Sequence, residues 1–540
     1  MNTELQPVTV PISTSSTPIV LDGRLTLSLF RRIIEEDAPL QLSTDSLQQV
    51  ERCHDFLLQL VADKRRIYGV TTGYGPLATS YIDPAHSGEL QKNLVRHLSS
   101  GTGRPLPAHQ VRAIMLARLN ALLQGHSAVS TDVCERLAQC LNVGFLPRIP
   151  ERGTVGASGD LTPLAHLAGA LMGEGRARLG DGPEQAASRI LAELGWAPLE
   201  PDGKNALGLV NGTSAMTGIG ALTAIRAQRA LEWTATLGVS YAEVLKGKLE
   251  AFDSSLAQVR GHGGQARIHH WLLELARGSQ RLEAAVDLPP VLDHQSIGVN
   301  RDQPLPQDPY SIRCLPQILG AVDEVVRDHA RVVENELNAV TDNPIFFPDE
   351  GKVVHGGNFY GQPIAFASDS LAQALIKMAV LSERRIARIT DPGLNGDLPA
   401  FLQGRETGLH SGFMGAQVTA SATVAEMRQM ATPASIQSVP TNANNQDVVP
   451  MGTIGARRTD HLADLLFDVL AIEAMVLAQA VDLSGKHGFA HATRKWTDWL
   501  RDDIPFLNQD RALSDEIIAL AGKMSSTTIP LPLPQGPEKP

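Results

Sequence analysis

Residues 153–166 read Gly-Thr-Val-Gly-Ala-Ser-Gly-Asp-Leu-Thr-Pro-Leu-Ala-His, and the tripeptide Ala157-Ser158-Gly159 at their centre decides how the chain is read. Three small residues flanked by further glycines bend tightly enough for a backbone nitrogen to attack a carbonyl carbon two residues back. Attack of the Gly159 nitrogen on the Ala157 carbonyl, with loss of one water, closes a five-membered ring. Loss of the Ser158 hydroxyl as a second water leaves an exocyclic methylidene. That group is an electrophile, which no ordinary side chain supplies. Serine provides the leaving hydroxyl, and alanine leaves the ring uncrowded. An isolated Ala-Ser-Gly also suits a solvated turn, so the neighbouring sequence has to decide. Asp160 suits two roles: a cap for a helix over Leu161–Met172, or a part in ring closure.

Outward from this turn the dominant pattern is helical. His109–Gln124 places Val111, Met115, Leu119 and Leu122 at steps of three and four, with Arg112 and Arg118 off that stripe. Gly212–Lys248 reads as one long helix, apolar on most faces, and Gly320–Leu337, Ala365–Ile389 and Arg458–Val481 add three more. Alternation of the strand type is scarce. Helices apolar on most sides need protein neighbours all round, so a central bundle buried further by oligomerisation is expected. Residues 1–20, rich in Thr, Ser and Pro, read as a flexible segment. Residues 525–540, rich in proline, read as a flexible tail. Between them 21–524 shows no linker and reads as one domain.

Composition narrows the partners. A net charge of −11 argues against nucleic acid or an anionic membrane. Cys53, Cys134, Cys140 and Cys314 form no CxxC pair and suit a reducing cytoplasm. No signal peptide is read at the N-terminus. The uncharged run Ala206–Ile225 is long enough for a bilayer, but its glycines, Asn211 and hydroxyl residues make it the buried start of a helix instead. Sixteen histidines prompt a metal search, yet His262, His269 and His270 lack ligand spacing, and no metal is expected. Gly356-Gly357 does not follow the grammar of nucleotide sites.

The stretch GTVGASGDLTPLAH resembles the signature of the aromatic amino-acid lyases. So, in the family's order, do YGVTTGYG at 68–75, LVNGTSAMTG at 209–218, QDPYSIRC at 307–314, ELNAVTDNP at 336–344, HGGNF at 355–359 and NQDVV at 445–449. The likeness runs from about Leu21 to about Ala521. It implies a mainly α fold of the fumarase/aspartase-like type: a long helical bundle, homotetrameric, with pockets shared between subunits. It also implies that Ala157-Ser158-Gly159 becomes a methylidene-imidazolone (MIO) group, with no dissociable cofactor. By the same resemblance Tyr68 takes the β-proton, and Tyr310 stands at the active centre. Arg313 holds the substrate carboxylate, for which a guanidinium fork is suited. Asn211 bonds near the ring oxygen, and Gln307, Asn343 and Phe359 line the substrate.

Two places bear on substrate choice. Histidine-selective members resemble this chain but carry a glutamate directly after Asn-Gln; here neutral Gln446 aligns with that glutamate. Tyrosine-selective members resemble the chain at His97-Leu98, where the histidine suits a para-hydroxyl and the leucine an apolar wall. The resemblance thus implies a tyrosine ammonia-lyase giving trans-4-coumarate, with some activity on phenylalanine. The alternatives are a tyrosine 2,3-aminomutase, which the TTGYG spelling around Tyr74 also resembles, and a histidine or phenylalanine ammonia-lyase. A catalytically silent scaffold is the rival from another class.

Overall fold

Where the chain strings alanine, leucine and valine together without proline, it forms long helices. In the computed structural model, which describes residues 17–284, 307–406 and 408–529, the longest are Ser214–Val244, Leu315–Leu337, Gln362–Thr390 and Gly452–Leu483. They correspond to the four long runs expected from sequence. Helix Ala108–Leu122 likewise matches the stripe read at 109–124, but Arg118 is fully buried rather than set off it.

Hydroxyl residues inside the apolar helix Ser214–Val244 are accommodated by bonding back to their own helix. Thr217, Thr223, Thr234, Thr236 and Ser240 each donate to the carbonyl four residues earlier. The run Ala206–Ile225 is buried, as expected, but it is not one helix start. Asn205–Val210 is a separate short helix, and the chain breaks at Asn211–Thr213 before helix Ser214–Val244 begins. Among the described residues one helix, Gln362–Thr390, is by length and composition apolar enough to cross a membrane; its most apolar stretch is 72% buried inside the fold, as a core helix is.

Two compact units arise where the sequence shows no linker. The first comprises 1–225, 329–370 and 433–460, and the second 226–328, 371–432 and 461–540. Each is assembled from three separated stretches, so no local composition shift marks the division. The first unit's core joins helices Ala108–Leu122, Thr131–Val143 and Leu161–Leu171 with the start of Ser214–Val244. Its short strands staple the edges. Ile19–Leu21 pairs parallel with Leu40–Leu42, and Phe145–Pro147 pairs antiparallel with Arg176–Leu179, Phe145 opposite Leu179. The second unit's core comes from helical residues of 227–244, 315–326, 371–389 and 462–481. Inside it Glu243 accepts from the Ala490 amide at 2.6 Å, and Arg385 pairs with Glu473 at 2.6 Å, both side chains being buried.

The ends differ from expectation at their edges. Ile19 and Val20, placed in the flexible segment 1–20, belong to a strand, because Ile19 and Leu21 are buried beside Leu40. Helix Ser514–Ser526 runs past the start of the 525–540 tail, its Met524 buried in the second unit's core. Residues 1–16 and 530–540 lie outside the described residues.

Candidate active site

The turn at 154–160 is built almost wholly from main chain. The Gly156 amide donates to Thr154 Oγ1 at 3.0 Å, and that hydroxyl donates to the Gly159 carbonyl at 3.0 Å. Gly156 and Ala157 both pair with Gly159, so the backbone doubles back within three residues. Gly159 has φ +69°, and a Cβ there would lie 2.1 Å from the Gly212 carbonyl oxygen. Only glycine meets both demands. On the opposite side a Cβ on Gly212 would lie 2.0 Å from an Arg118 nitrogen. Loop meets loop with nothing but backbone between them.

Asn211 comes from the break between the two helices, where it is buried. Its amide Nδ2 donates to the Ser158 carbonyl oxygen at 3.0 Å and lies 3.4 Å from the Ser158 hydroxyl. In an imidazolone formed from this tripeptide, the Ser158 oxygen is the ring oxygen. The amide that the resemblance places near the ring oxygen is thus aimed at that atom. Arg118 holds Asn211 from behind, its Nη1 donating to the Asn211 carbonyl at 3.0 Å. Tight turn, leaving hydroxyl and donor together fit an MIO group.

Asp160 is not the helix cap that its position suggested. It stands at the N-cap of Leu161–Leu171 but makes no side-chain bond to that helix. Its carboxylate accepts from the Met216 amide at 2.8 Å, at the start of helix Ser214–Val244, and from the Thr453 hydroxyl. A second acid, Glu336, accepts from Thr213 Oγ1 at 2.7 Å, and burial holds its carboxyl above the usual range. Burial pushes Asp160 up from 3.8 to about 6, against the pull of its hydrogen bonds. Asp160 therefore favours the fold when protonated: its contribution is full below pH 3.8 and is lost as pH rises through about 6. Against an Asp160→Asn variant, which has nothing to titrate, wild-type thermal midpoints should fall progressively across that window and run parallel above it. A constant difference across the window would show that Asp160 does not titrate there.

Tyr68 is half-buried, and the Gly75 amide donates to its phenol oxygen at 2.8 Å. The ring of Tyr74 meets that of Tyr68 edge-on, with centroids 6.3 Å apart. His97 and Leu98 end helix Ser87–Leu98, which packs on Leu161–Leu171 and Asn205–Val210, the helices that follow Asp160 and precede Asn211. Leu98 packs against the first unit's core. His97 is exposed, with Nδ1 3.0 Å from the Asn93 carbonyl. A carbonyl only accepts, so Nδ1 carries the proton, and in the neutral ring Nε2 is left as an acceptor.

The remaining first-unit candidates lie on loops joined to this turn. Asn343 Oδ1 accepts from the Gly356 amide at 2.8 Å, three residues before half-buried Phe359. The Gly361 amide in turn reaches the Gly156 carbonyl at 3.4 Å. Gln446 Oε1 accepts from Thr441 Oγ1 at 2.7 Å, in a loop whose Val449 packs with Ala157 and Met451. Beneath Asn343 the fully buried Lys204–Asp342 pair closes at 2.6 Å. That pair and Glu336 were not singled out from sequence, and Arg118 was read only as lying off an apolar stripe.

Gln307, Tyr310 and Arg313 belong to the second unit. Arg313 stacks 4.8 Å from the Tyr310 ring centroid and donates to Gln307 Oε1. Tyr310 is 67% exposed. Arg313 makes no ion pair among the described residues, so a charged fork stands beside an exposed phenol. Among the described residues no group of three or more His, Cys, Asp or Glu side chains is placed to hold a metal.

The chain is similar to known proteins along most of its length. The family described as "Aromatic amino acid lyase" matches residues 25–502. A "Tyrosine ammonia-lyase" from Cereibacter sphaeroides is 44% identical over 93% of this chain and 96% of its own length. A "Histidine ammonia-lyase" from Symbiobacterium thermophilum is 38% identical over 93% and 96%. Among solved structures, a tyrosine aminomutase from Streptomyces globisporus superposes with a TM-score of 0.90 at 39% identity, covering 96% of this chain and all of that one. The chain belongs to the aromatic amino acid lyase family.

Proposed function

We propose that this protein eliminates ammonia from L-tyrosine to give trans-4-coumarate, using an MIO group formed from Ala157, Ser158 and Gly159. The observation that carries the reading is the Asn211 amide, 3.0 Å from the Ser158 carbonyl oxygen at a turn that admits only glycine at 159. When formed, the MIO group supplies an electrophile that makes the substrate's ammonia a leaving group. The protein supplies orientation and electrostatics around it. Asn211 donates to the ring oxygen, where a preorganised donor is worth about 10²–10³ in rate. Tyr68 takes the β-proton on its phenol oxygen. The Gly75 amide donates to that oxygen at 2.8 Å and so holds the phenol in place. Arg313 binds the substrate carboxylate through its fork, with Gln307 and Tyr310 beside it. Asn343 and Phe359 line the substrate. The working form is a cytoplasmic homotetramer with shared pockets.

Tyrosine is favoured by two residues. Gln446 is neutral where a carboxylate would suit an imidazole. His97, with Nε2 free to accept, suits the para-hydroxyl of the substrate as donor, and Leu98 supplies the apolar wall. A tyrosine 2,3-aminomutase is the second reading, because the aminomutase structure superposes over the whole of its length. It differs by returning ammonia to the β-carbon.

The test is product identification with tyrosine, phenylalanine and histidine, for wild type and His97→Phe. Coumarate should dominate for wild type, with measurable cinnamate from phenylalanine. One neutral hydrogen bond contributes only about 0.5–1.5 kcal/mol, a bias of roughly two- to thirteen-fold. In His97→Phe the bulkier ring leaves a desolvated hydroxyl unpaired, at a cost of about 1–3 kcal/mol, so the preference should move to phenylalanine. β-Tyrosine as the main product would replace the lyase reading with the mutase. An unchanged ratio in the variant would remove His97 from substrate selection.

A further inference from the structure

One buried amide uses both its ends to join the loop that carries Tyr68 to the segment that leads into Asn211. Gln91, on helix Ser87–Leu98, is fully buried. Its Nε2 donates to the Gly69 carbonyl at 2.8 Å and to the Tyr74 hydroxyl oxygen at 3.0 Å. Its Oε1 accepts from the Leu207 amide at 2.8 Å. The orientation of the amide is fixed by its partners, since the Gly69 carbonyl only accepts and the Leu207 amide only donates. Gly69 directly follows Tyr68, and Tyr74 precedes the Gly75 amide that bonds the Tyr68 oxygen. Leu207 lies in helix Asn205–Val210, and Asn211 is the next residue after that helix. A Cβ on Gly69 would meet Leu207 at 2.7 Å and Tyr74 at 2.8 Å, so loop and helix are in close contact at the clamp.

We propose that Gln91 is a positioning residue: its amide clamps the 68–75 loop to helix Asn205–Val210 and so fixes the Tyr68 phenol relative to Asn211. The inference rests on the proposed role of Tyr68 as proton acceptor. No side chain other than Gln91 bonds both Gly69 and Leu207 among the described residues. Burial also holds the Tyr74 hydroxyl well above the ordinary tyrosine range, so it remains a neutral partner for the amide. The bonds to Gly69 and Leu207 are buried, which makes each costly to leave unmade.

The test uses the full-length protein and Gln91→Leu, which keeps much of the volume and loses every bond. Hydrogen exchange should quicken in peptides covering 67–82 while helix Ala108–Leu122 stays protected. With whichever of tyrosine, phenylalanine or histidine the wild type turns over, kcat should fall about tenfold to a hundredfold, the scale of a misplaced catalytic group, while KM changes little. In a Tyr68→Phe background the same substitution should have little further effect on kcat, because its influence passes through the missing hydroxyl. If Gln91→Leu does not fold, Gln91→Glu is measured in its place. It keeps an acceptor for Leu207 but sets an oxygen against the Gly69 carbonyl, and the same pattern is expected. Unchanged exchange over 67–82, or kcat losses that simply add to those of Tyr68→Phe, would overturn the proposal. A wild type that turns over none of the three amino acids fails the functional reading instead, and exchange still decides whether Gln91 is the clamp.

Discussion

Ser158→Ala should lower turnover by about 10³-fold or more while leaving the fold intact, since rate accelerations of about 10⁶ or greater are what an enzyme's central group supports. Alanine has no hydroxyl to eliminate, so the methylidene cannot form. The fold loses one small polar atom, and the Asn211 amide keeps its stronger contact, the Ser158 carbonyl at 3.0 Å rather than the hydroxyl at 3.4 Å. Intact mass supplies the independent readout: the wild type should be lighter than its sequence by two waters, and the variant by one at most. Turnover near the wild-type level in purified Ser158→Ala would end the MIO reading. A wild type at full sequence mass would point to the silent scaffold.

Tyr68→Phe should lower kcat by about 10²–10⁴-fold, the range for removing a positioned acid–base group, with a much smaller change in KM. The substitution keeps the ring that packs edge-on against Tyr74 and removes only the oxygen to which the Gly75 amide donates. An interaction needed only as the proton moves is lost, so kcat and kcat/KM should fall together. Turnover within a few-fold of wild type would exclude Tyr68 as the base. Tyr310, exposed beside Arg313, would then take its place.

The long helices were legible because each is a run of strong helix formers broken only where the structure breaks them. The interruption at Asn211–Thr213 was harder to see: only Asn211-Gly212 signals it, and the flanking residues are equally apolar. The split into two units was not legible at all, because residues such as Asp160 and Thr453 meet only after the chain has folded. Asp160 was misplaced for the same reason. Its position next to a helix start suggested a local cap, while its partners lie on helix Ser214–Val244 and near residue 450. Tyr68, Ser158 and Asn211 became candidates through a family likeness, since a lone tyrosine or asparagine carries no local signal. Gln91 had neither kind of signal. It is one of three polar residues between Glu89 and Leu94 on an amphipathic helix, and its importance lies entirely in what its amide reaches.

The 154–160 turn is assembled from parts that are made far apart in time. The Val155 carbonyl accepts from the Met451 amide at 2.9 Å, and the Asp160 carboxylate accepts from Thr453, 293 residues further along the chain. Contacts of such separation form only after the intervening chain has been ordered. A nascent polypeptide that has emerged only as far as the Asn211 loop therefore lacks the Met451 and Thr453 contacts that hold the two ends of this turn. Cyclisation would then act as a chemical timestamp, written once the first unit is complete and absent from molecules that stall before it. Loss of two waters would count the correctly assembled fraction of a preparation one molecule at a time, without reference to its activity.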